Sequence, residues 1–309
     1  MKYGFEYLLY EIPTNKVEIE ALSKEAGFGQ DIIDKITANG LRRVPVNNEG
    51  TLDRLVNKAV KKLLLMDSHL CERIQYIILS HSLPVLAPAS IPFLSRCIEG
   101  CNLEEKPVIA LGGQPCSIIH TEVQLAISSL KNEDIGKGVL FIGADQVNSA
   151  EERIFFGSTM GDAVVVGFLS NDSYKNIILA SVTETDIIAY DGEISPKEDI
   201  ERFRSENHLN IRHAIESALE EAHLKLTDIK YIFPHTANRL IWDVVAKILR
   251  YPRENIIDRY IIETGHLNSN DSFCHYIRAC EEGLIDKGDK AVLINPGFGG
   301  TRGCTIVEA

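Results

Sequence analysis

No run of about 18 consecutive apolar residues occurs in this 309-residue chain, so the sequence offers no helix that would span a bilayer. The opening residues, Met1 to Tyr7, lack an apolar core followed by small residues, and no secretory signal is expected from them. Excess positive charge is also missing. Thirty-two Lys and Arg stand against 44 Asp and Glu, a net charge of −12, which repels nucleic acid and anionic membranes. Paired cysteines are absent: the seven lie at 71, 97, 101, 116, 274, 280 and 304, and only Cys97 and Cys101 are near a metal-binding spacing, with no second pair beside them. No metal site is therefore expected, and the thiols read as free groups in a reducing cytoplasm. With 45% hydrophobic residues the chain has enough apolar surface to fold, which excludes a disordered composition.

What is present is an alternation of short apolar runs and helical patterns, the mark of α/β layering. Buried strands are predicted at Ile74–Leu79, Val108–Leu111, Val139–Ile142, Ala163–Leu169, Ile177–Ser181, Ile229–Phe233, Ala291–Ile294 and Cys304–Val307. Helical stretches fall near 51–66, 88–100, 117–131, 199–224, 237–250 and 271–286, and the acidic stretch 185–201 reads as a surface excursion. The run Ile74-Gln75-Tyr76-Ile77 before Ser80-His81 returns half a chain later as Ile229-Lys230-Tyr231-Ile232 before Pro234-His235. Ile135 to Gly138 before Val139–Ile142 likewise returns as Ile285 to Gly288 before Ala291–Ile294. A common offset of half the chain predicts two similar α/β halves, 1–171 and 172–309.

Three segments carry chemistry. Gly112-Gly113-Gln114-Pro115-Cys116 follows a strand and precedes a buried helix, so Cys116 sits at the positive end of a helix dipole, where a thiolate is favoured. A buried structural thiol is the alternative. Pro234-His235-Thr236-Ala237-Asn238-Arg239 lies at the C-terminal end of a strand, where α/β folds collect functional groups. Gly265-His266-Leu267-Asn268-Ser269-Asn270-Asp271 is a polar turn before a helix, in which Asn270 or Asp271 serves as an N-cap or as a site group.

In that order, with Gly297-Phe298-Gly299-Gly300-Thr301-Arg302-Gly303 closing the chain, these segments resemble the ketoacyl-acyl carrier protein synthase III group of the thiolase-fold condensing enzymes. His235-Thr236-Ala237-Asn238 resembles its His-Gln-Ala-Asn helix, Gly161-Asp162-Ala163 its Gly-Asp-Gly-Ala element with a glycine missing, and Gly40-Leu41-Arg42-Arg43 a shortened Gly-Ile-Arg-Glu-Arg. The resemblance implies a five-layered αβαβα sandwich of duplicated halves and a homodimer. It implies an acyltransferase in which Cys116 takes an acyl group from a carrier or coenzyme A thioester. The group then passes to a malonyl-type thioester by decarboxylative condensation, in fatty-acid-like or polyketide metabolism. Ester or amide formation and a non-catalytic partner subunit are the alternatives. No bound cofactor is implied.

By the same resemblance His235 and His266 complete the catalytic set, with Asn268, Asn270 or Asp271 as a possible third group in place of His266. The backbone of Cys116, Gly299 and Gly300 supplies the oxyanion hole, and Ala87, Asn238 and Phe298 contact substrate. Lys247, Arg250 and Arg253 receive an acidic carrier protein, although a solvated helix end would place the same charges there. His266 stands where the family has asparagine, and in this reading Asp271, if catalytic, orients His235. The segment before Gly40 has no aromatic residue where housekeeping members stack the coenzyme A adenine, which favours a carrier protein as donor.

Overall fold

The computed structural model describes residues 1–309 apart from 49, 84–91, 156–157, 187, 190 and the side chain of 193. Its strands are β1 (Gly4–Glu11), β2 (Lys16–Glu18), β3 (Arg43–Pro45), β4 (Ile74–Ser80), β5 (Val108–Leu111), β6 (Gly138–Asp145) and β7 (Ile154–Phe155). They continue with β8 (Ser158–Thr159), β9 (Ala163–Ser170), β10 (Ile177–Thr185), β11 (Tyr231–Pro234), β12 (Lys290–Pro296) and β13 (Thr301–Glu308). Nine of them join edge to edge in the order β11-β12-β13-β10-β1-β9-β6-β4-β5.

The half-chain repeat is visible in the pairing. β4 runs parallel to β6, which is antiparallel to β9, which is antiparallel to β1. β11 runs parallel to β12, which is antiparallel to β13, which is antiparallel to β10. The segments that repeat in the sequence, β4 with β11 and β6 with β12, are thus equivalent strands. The two sets meet where β1 and β10 pair at Gly4 and Ile177.

Layering follows from residue alternation. In β6, Val139 and Phe141 enter one core while Leu140, Ile142 and Ala144 enter another, and β9 divides Ala163, Val165 and Leu169 from Val164, Val166 and Phe168. Strands buried on both faces read as continuous apolar runs. The shared inner core holds the helices Ile118–Ser129 and Asp271–Glu281 between the two sheets. Leu52–Leu64 covers the first sheet outside. Lys197–Glu221 and Ile241–Leu249 cover the second. The result is the expected αβαβα sandwich.

All eight predicted strands are present, most extended by a few residues. β1 is the main omission. Its charged residues disguised a central strand, because Glu6 is engaged by Arg73 and Glu11 by Lys58 and Lys62. The short helices Ile19–Glu25, Gln30–Ala38 and Ile261–Thr264 were also not foreseen. Of the helix expected near 88–100, Phe93–Cys97 is observed and 88–91 lie outside the described residues. The stretch 185–201 is not merely a surface excursion. Asp186 donates its N–H to Gly300 O at 2.9 Å, and the long outer helix already begins at Lys197.

Candidate active site

The turn after β5 enters the helix Ile118–Ser129 through Cys116, whose φ of +59° is unusual for a residue with a side chain. Strain of this kind persists only where neighbours hold it. Here Ser82 Oγ accepts the Cys116 N–H at 3.3 Å, and Asn295 Nδ2 donates to the Cys116 carbonyl at 3.0 Å. Asn295 also donates to Ser269 O at 2.8 Å, and Ser269 N–H reaches Ser82 Oγ at 3.1 Å.

Behind this ring lies Asp145, fully buried at the end of β6. It accepts from Ser82 N at 2.8 Å, Leu83 N at 3.2 Å and Ser269 Oγ at 2.8 Å. Burial raises its pKa, and these donors work against that rise. The closing loop also presses on the nucleophile turn: a Cβ at Gly297 would stand 1.9 Å from Pro115 O, so only glycine fits.

His266 is pinned through its backbone, donating to Thr159 O and accepting from Gly161 N–H, both at 2.8 Å. Its Nε2 lies 3.5 Å from Cys116 Sγ and its Nδ1 lies 2.5 Å from Asp271 Oδ2. Asp271, also fully buried, accepts from Leu267 N at 2.7 Å and from Thr236 N at 2.8 Å. Burial alone would lower the His266 pKa. The Asp271 carboxylate and the Cys116 sulfur outweigh it and push it up to about 10. Asp271, despite burial, is held well below the carboxylate range by His266. His235 leaves β11 with its ring 4.4 Å from that of His266. Burial, then the neighbouring His266, lowers its pKa to about 3, so it is neutral near pH 7.

The structure therefore brings Cys116, His235 and His266 together, their donor atoms all within 4.8 Å of one another. No other such group of three His, Cys, Asp or Glu is found among the described residues. The spacing rule for metals passes over it because the three come from distant segments. Asp271 needs correction. It neither caps the helix with its side chain nor orients His235, because its carboxylate turns back to His266 and to two backbone N–H groups. Asn270 faces Asp145 Oδ2 and Ala163 O, both at 3.4 Å, and the buried Asn268 Nδ2 has no hydrogen-bond partner.

A cavity of about 380 Å³ opens in front of Cys116, His235 and His266. Phe155, Phe203 and Phe298 line it, the last edge-on to the other two, with Asn238 and Ile241 beside them. Asn238 and Phe298 are thus where a substrate contact requires. Ala87 lies outside the described residues. Gly299 and Gly300 do not line the cavity, whose wall at this loop is Pro296, Gly297 and Phe298.

Lys247 and Arg250 share a surface depression at the far end of the helix Ile241–Leu249. Arg253 borders the same depression but is already paired, its Nε 2.5 Å from Asp243 Oδ1 and its Nη2 on the buried Asp258. Arg239 reaches the same Asp258 at 3.0 Å, which ties the His235 motif to the segment that precedes Gly265. Sequence reasoning missed Ser82, Asp145, Ser269 and Asn295. The one available signal was Asp145, a carboxylate ending a wholly apolar strand.

Residues 219–309 match the family described as the C-terminal part of 3-oxoacyl-[acyl-carrier-protein] synthase III. A beta-ketoacyl-[acyl-carrier-protein] synthase III of Clostridium perfringens is 26% identical over 322 aligned positions, covering 96% of each chain. Among solved structures, the 3-oxoacyl-[acyl-carrier-protein] synthase III of Aquifex aeolicus VF5 superposes with a TM-score of 0.82 at 20% identity, covering 99% of this chain and all of that one. The protein ChlB3, titled an acyltransferase, superposes with a TM-score of 0.87 at 16% identity, covering all of this chain and 98% of that one.

Proposed function

We propose that this chain, a ketoacyl synthase III-like protein of the thiolase fold, transfers acyl groups through Cys116 from a thioester to a hydroxyl or amine acceptor. The observation that carries the reading is the line Cys116 Sγ, His266 Nε2, His266 Nδ1, Asp271 Oδ2. An ionised Asp271 only accepts hydrogen bonds, so the Nδ1 proton of His266 stays with it in either charge state. The Nε2 position then alternates between an N–H beside the sulfur and a bare lone pair.

In the first half-reaction the Cys116 thiolate attacks the thioester carbon. The carbon–sulfur bond to the carrier breaks, and the departing thiolate takes the Nε2 proton and leaves as the thiol. In the second, the free Nε2 accepts a proton from the acceptor hydroxyl or amine as the acceptor attacks the acyl carbon, the carbon–sulfur bond breaks, and Cys116 leaves as the thiolate. The thioester supplies the driving force, so no bound cofactor is needed. Neutral His235 donates to the oxyanion in both steps.

Decarboxylative condensation, placed first from sequence, becomes the second reading. The neutral, buried His235 suits an enolate, and synthase III relatives carry that name. His266 could join it as a donor only while doubly protonated, because its neutral form presents no proton at Nε2. The discriminating experiment is intact-mass and product analysis of protein acylated on Cys116, then offered either malonyl carrier protein or a panel of alcohols and amines. A ketone product with release of carbon dioxide, and none with the panel, overturns the first reading.

The donor in this reading is an acyl carrier protein that docks on Lys247 and Arg250. A second copy of the chain pairs at β5, an unpaired sheet edge with Val108 exposed. The described cysteines are all unpaired thiols, which suits a reducing cytoplasm. No helix is long and apolar enough to cross a membrane among the described residues.

A further inference from the structure

The sulfur and two imidazoles that carry the acyl chemistry are also three soft donors around one point. A tetrahedral zinc with a thiolate at about 2.3 Å and an imidazole at about 2.0 Å holds those two atoms about 3.5 Å apart. Cys116 Sγ and His266 Nε2 are 3.5 Å apart, with the geometry of such a pair already set. The third donor, a ring nitrogen of His235, lies within 4.8 Å of both. His235 forms part of the cavity wall, so its ring borders open space on that side.

A histidine that ligates a metal commonly donates its other N–H to a carboxylate, which fixes the tautomer and aims the lone pair. His266 Nδ1 on the buried Asp271 has that arrangement. Asp271 in turn is held by the N–H groups of Leu267 and Thr236, so the aim of the ring is rigid. Three protein donors and a fourth position open to the cavity make an open site, which would take a water or a thiol.

We propose that the unacylated protein binds one borderline-soft divalent cation of the zinc class between Cys116, His235 and His266, and that binding withholds the nucleophile from acyl thioesters. Occupancy by metal and by acyl group exclude each other, since a thioester sulfur is a poor ligand. The proposal rests on the placement of the three side chains and not on the identity of the acceptor.

The test is titration of the purified full-length chain with Co²⁺ as probe, followed by displacement with Zn²⁺. The expected result is one equivalent of Co²⁺ with a sulfur-to-cobalt charge-transfer band and tetrahedral ligand-field bands, both lost on adding Zn²⁺ or on prior acylation. One equivalent of Zn²⁺ should slow iodoacetamide alkylation of Cys116 at least tenfold, with recovery on chelation. Cys116→Ala should remove the charge-transfer band, His235→Ala should weaken binding at least tenfold, and Asp271→Asn should weaken it about 10–100-fold.

A charge-transfer band that survives in Cys116→Ala would place the metal on another cysteine and overturn the proposal. So would binding unchanged in a folded His235→Ala protein, whose melting temperature is checked against wild type. Failure of Co²⁺ to bind while Cys116 still acylates would remove the metal site and leave the transfer reading standing.

Discussion

Asp271 Oδ2 lies 2.5 Å from His266 Nδ1, and both side chains are almost wholly shut from solvent. Two charges are removed from water there, which is tolerable only if the proton between them has a use, since buried pairs contribute little stability by themselves. In the first prediction Asp271→Asn frees the tautomer. The amide can donate to Nδ1, the ring proton moves to Nε2, and the base facing Cys116 is lost. Transfer of the acyl group to an acceptor should fall about a thousandfold or more, by analogy with triads that lose their carboxylate. Near-normal transfer in a folded Asp271→Asn protein would return Asp271 to a purely structural role.

The second prediction concerns the ring of contacts around Cys116. Ser82 Oγ accepts from the N–H groups of both Cys116 and Ser269, while Asp145 fixes Ser82. Ser82→Ala removes one acceptor and leaves two N–H groups without their partner, a loss of about 1–3 kcal/mol where no water replaces it. Acylation of Cys116 should slow roughly tenfold or more, with KM for the thioester nearly unchanged, because the turn loses its set and not its cavity. A faster Ser82→Ala enzyme would mean instead that Ser82 competes with the substrate oxyanion for the Cys116 N–H.

Stability should peak near pH 6.5, for opposed reasons. His120, His235 and His275 are buried and depressed to about 3, 3 and 4. Groups with lowered pKa withhold protons in the fold, so their contribution is complete above about 6.5 and is lost as pH falls toward 4 and 3. Asp271, also depressed, adds to the acid loss at still lower pH. On the other side, Glu122 is raised by burial to about 8 and His266 to about 10. Their contributions are complete below the unfolded values of about 4.5 and 6.5 and are lost as pH climbs to 8 and 10. Each group contributes a slope on the order of 1.4 kcal/mol per pH unit within its window. Urea midpoints at pH 4.5, 6.5 and 8.5 should therefore fall on both sides of the middle value. Glu122→Gln should flatten the alkaline side, and a profile that rises steadily to pH 8.5 would contradict the assignment.

The layering and the turn that carries Cys116 were legible because each has a local signature. β6 and β9 are unbroken apolar runs, and Cys116 stands at a glycine-rich turn before an apolar helix. β1 was not legible because its glutamates are neutralised by Arg73, Lys58 and Lys62, partners distant in sequence. The partner of Asp271 was misread for a related reason. His266 is five positions away and His235 much farther, yet only the fold shows which ring the carboxylate meets, since Thr236 N–H competes for the same oxygen. Gly299 and Gly300 were named by motif alone, whereas the residues of this loop that border the cavity are Pro296, Gly297 and Phe298, and the Gly297 N–H is already given to Thr301 O at 2.6 Å.

The last prediction separates docking from folding among three basic residues that the sequence grouped together. Arg253 bridges Asp243 and Asp258, and Asp258 also holds Arg239 in the His235 segment. Arg253→Glu would set a carboxylate against both aspartates, so it should lower the melting temperature and disturb transfer from every donor. Lys247 and Arg250 border the surface depression at the opposite end of their helix from Ile241, which touches the cavity. Charge reversal at either should leave melting and kcat unchanged. It should raise KM for an acyl carrier protein substrate about fivefold or more at low salt, the size expected for losing an exposed pair worth about 1 kcal/mol. That effect should fade as ionic strength rises, because exposed charges are screened over about 10 Å at 0.1 M salt. Acyl pantetheine, which carries no protein, should react equally well with wild type and both variants. If Lys247→Glu and Arg250→Glu raise KM for acyl pantetheine as much as for the carrier protein, this surface is not a docking site, and the carrier must approach the cavity from another side.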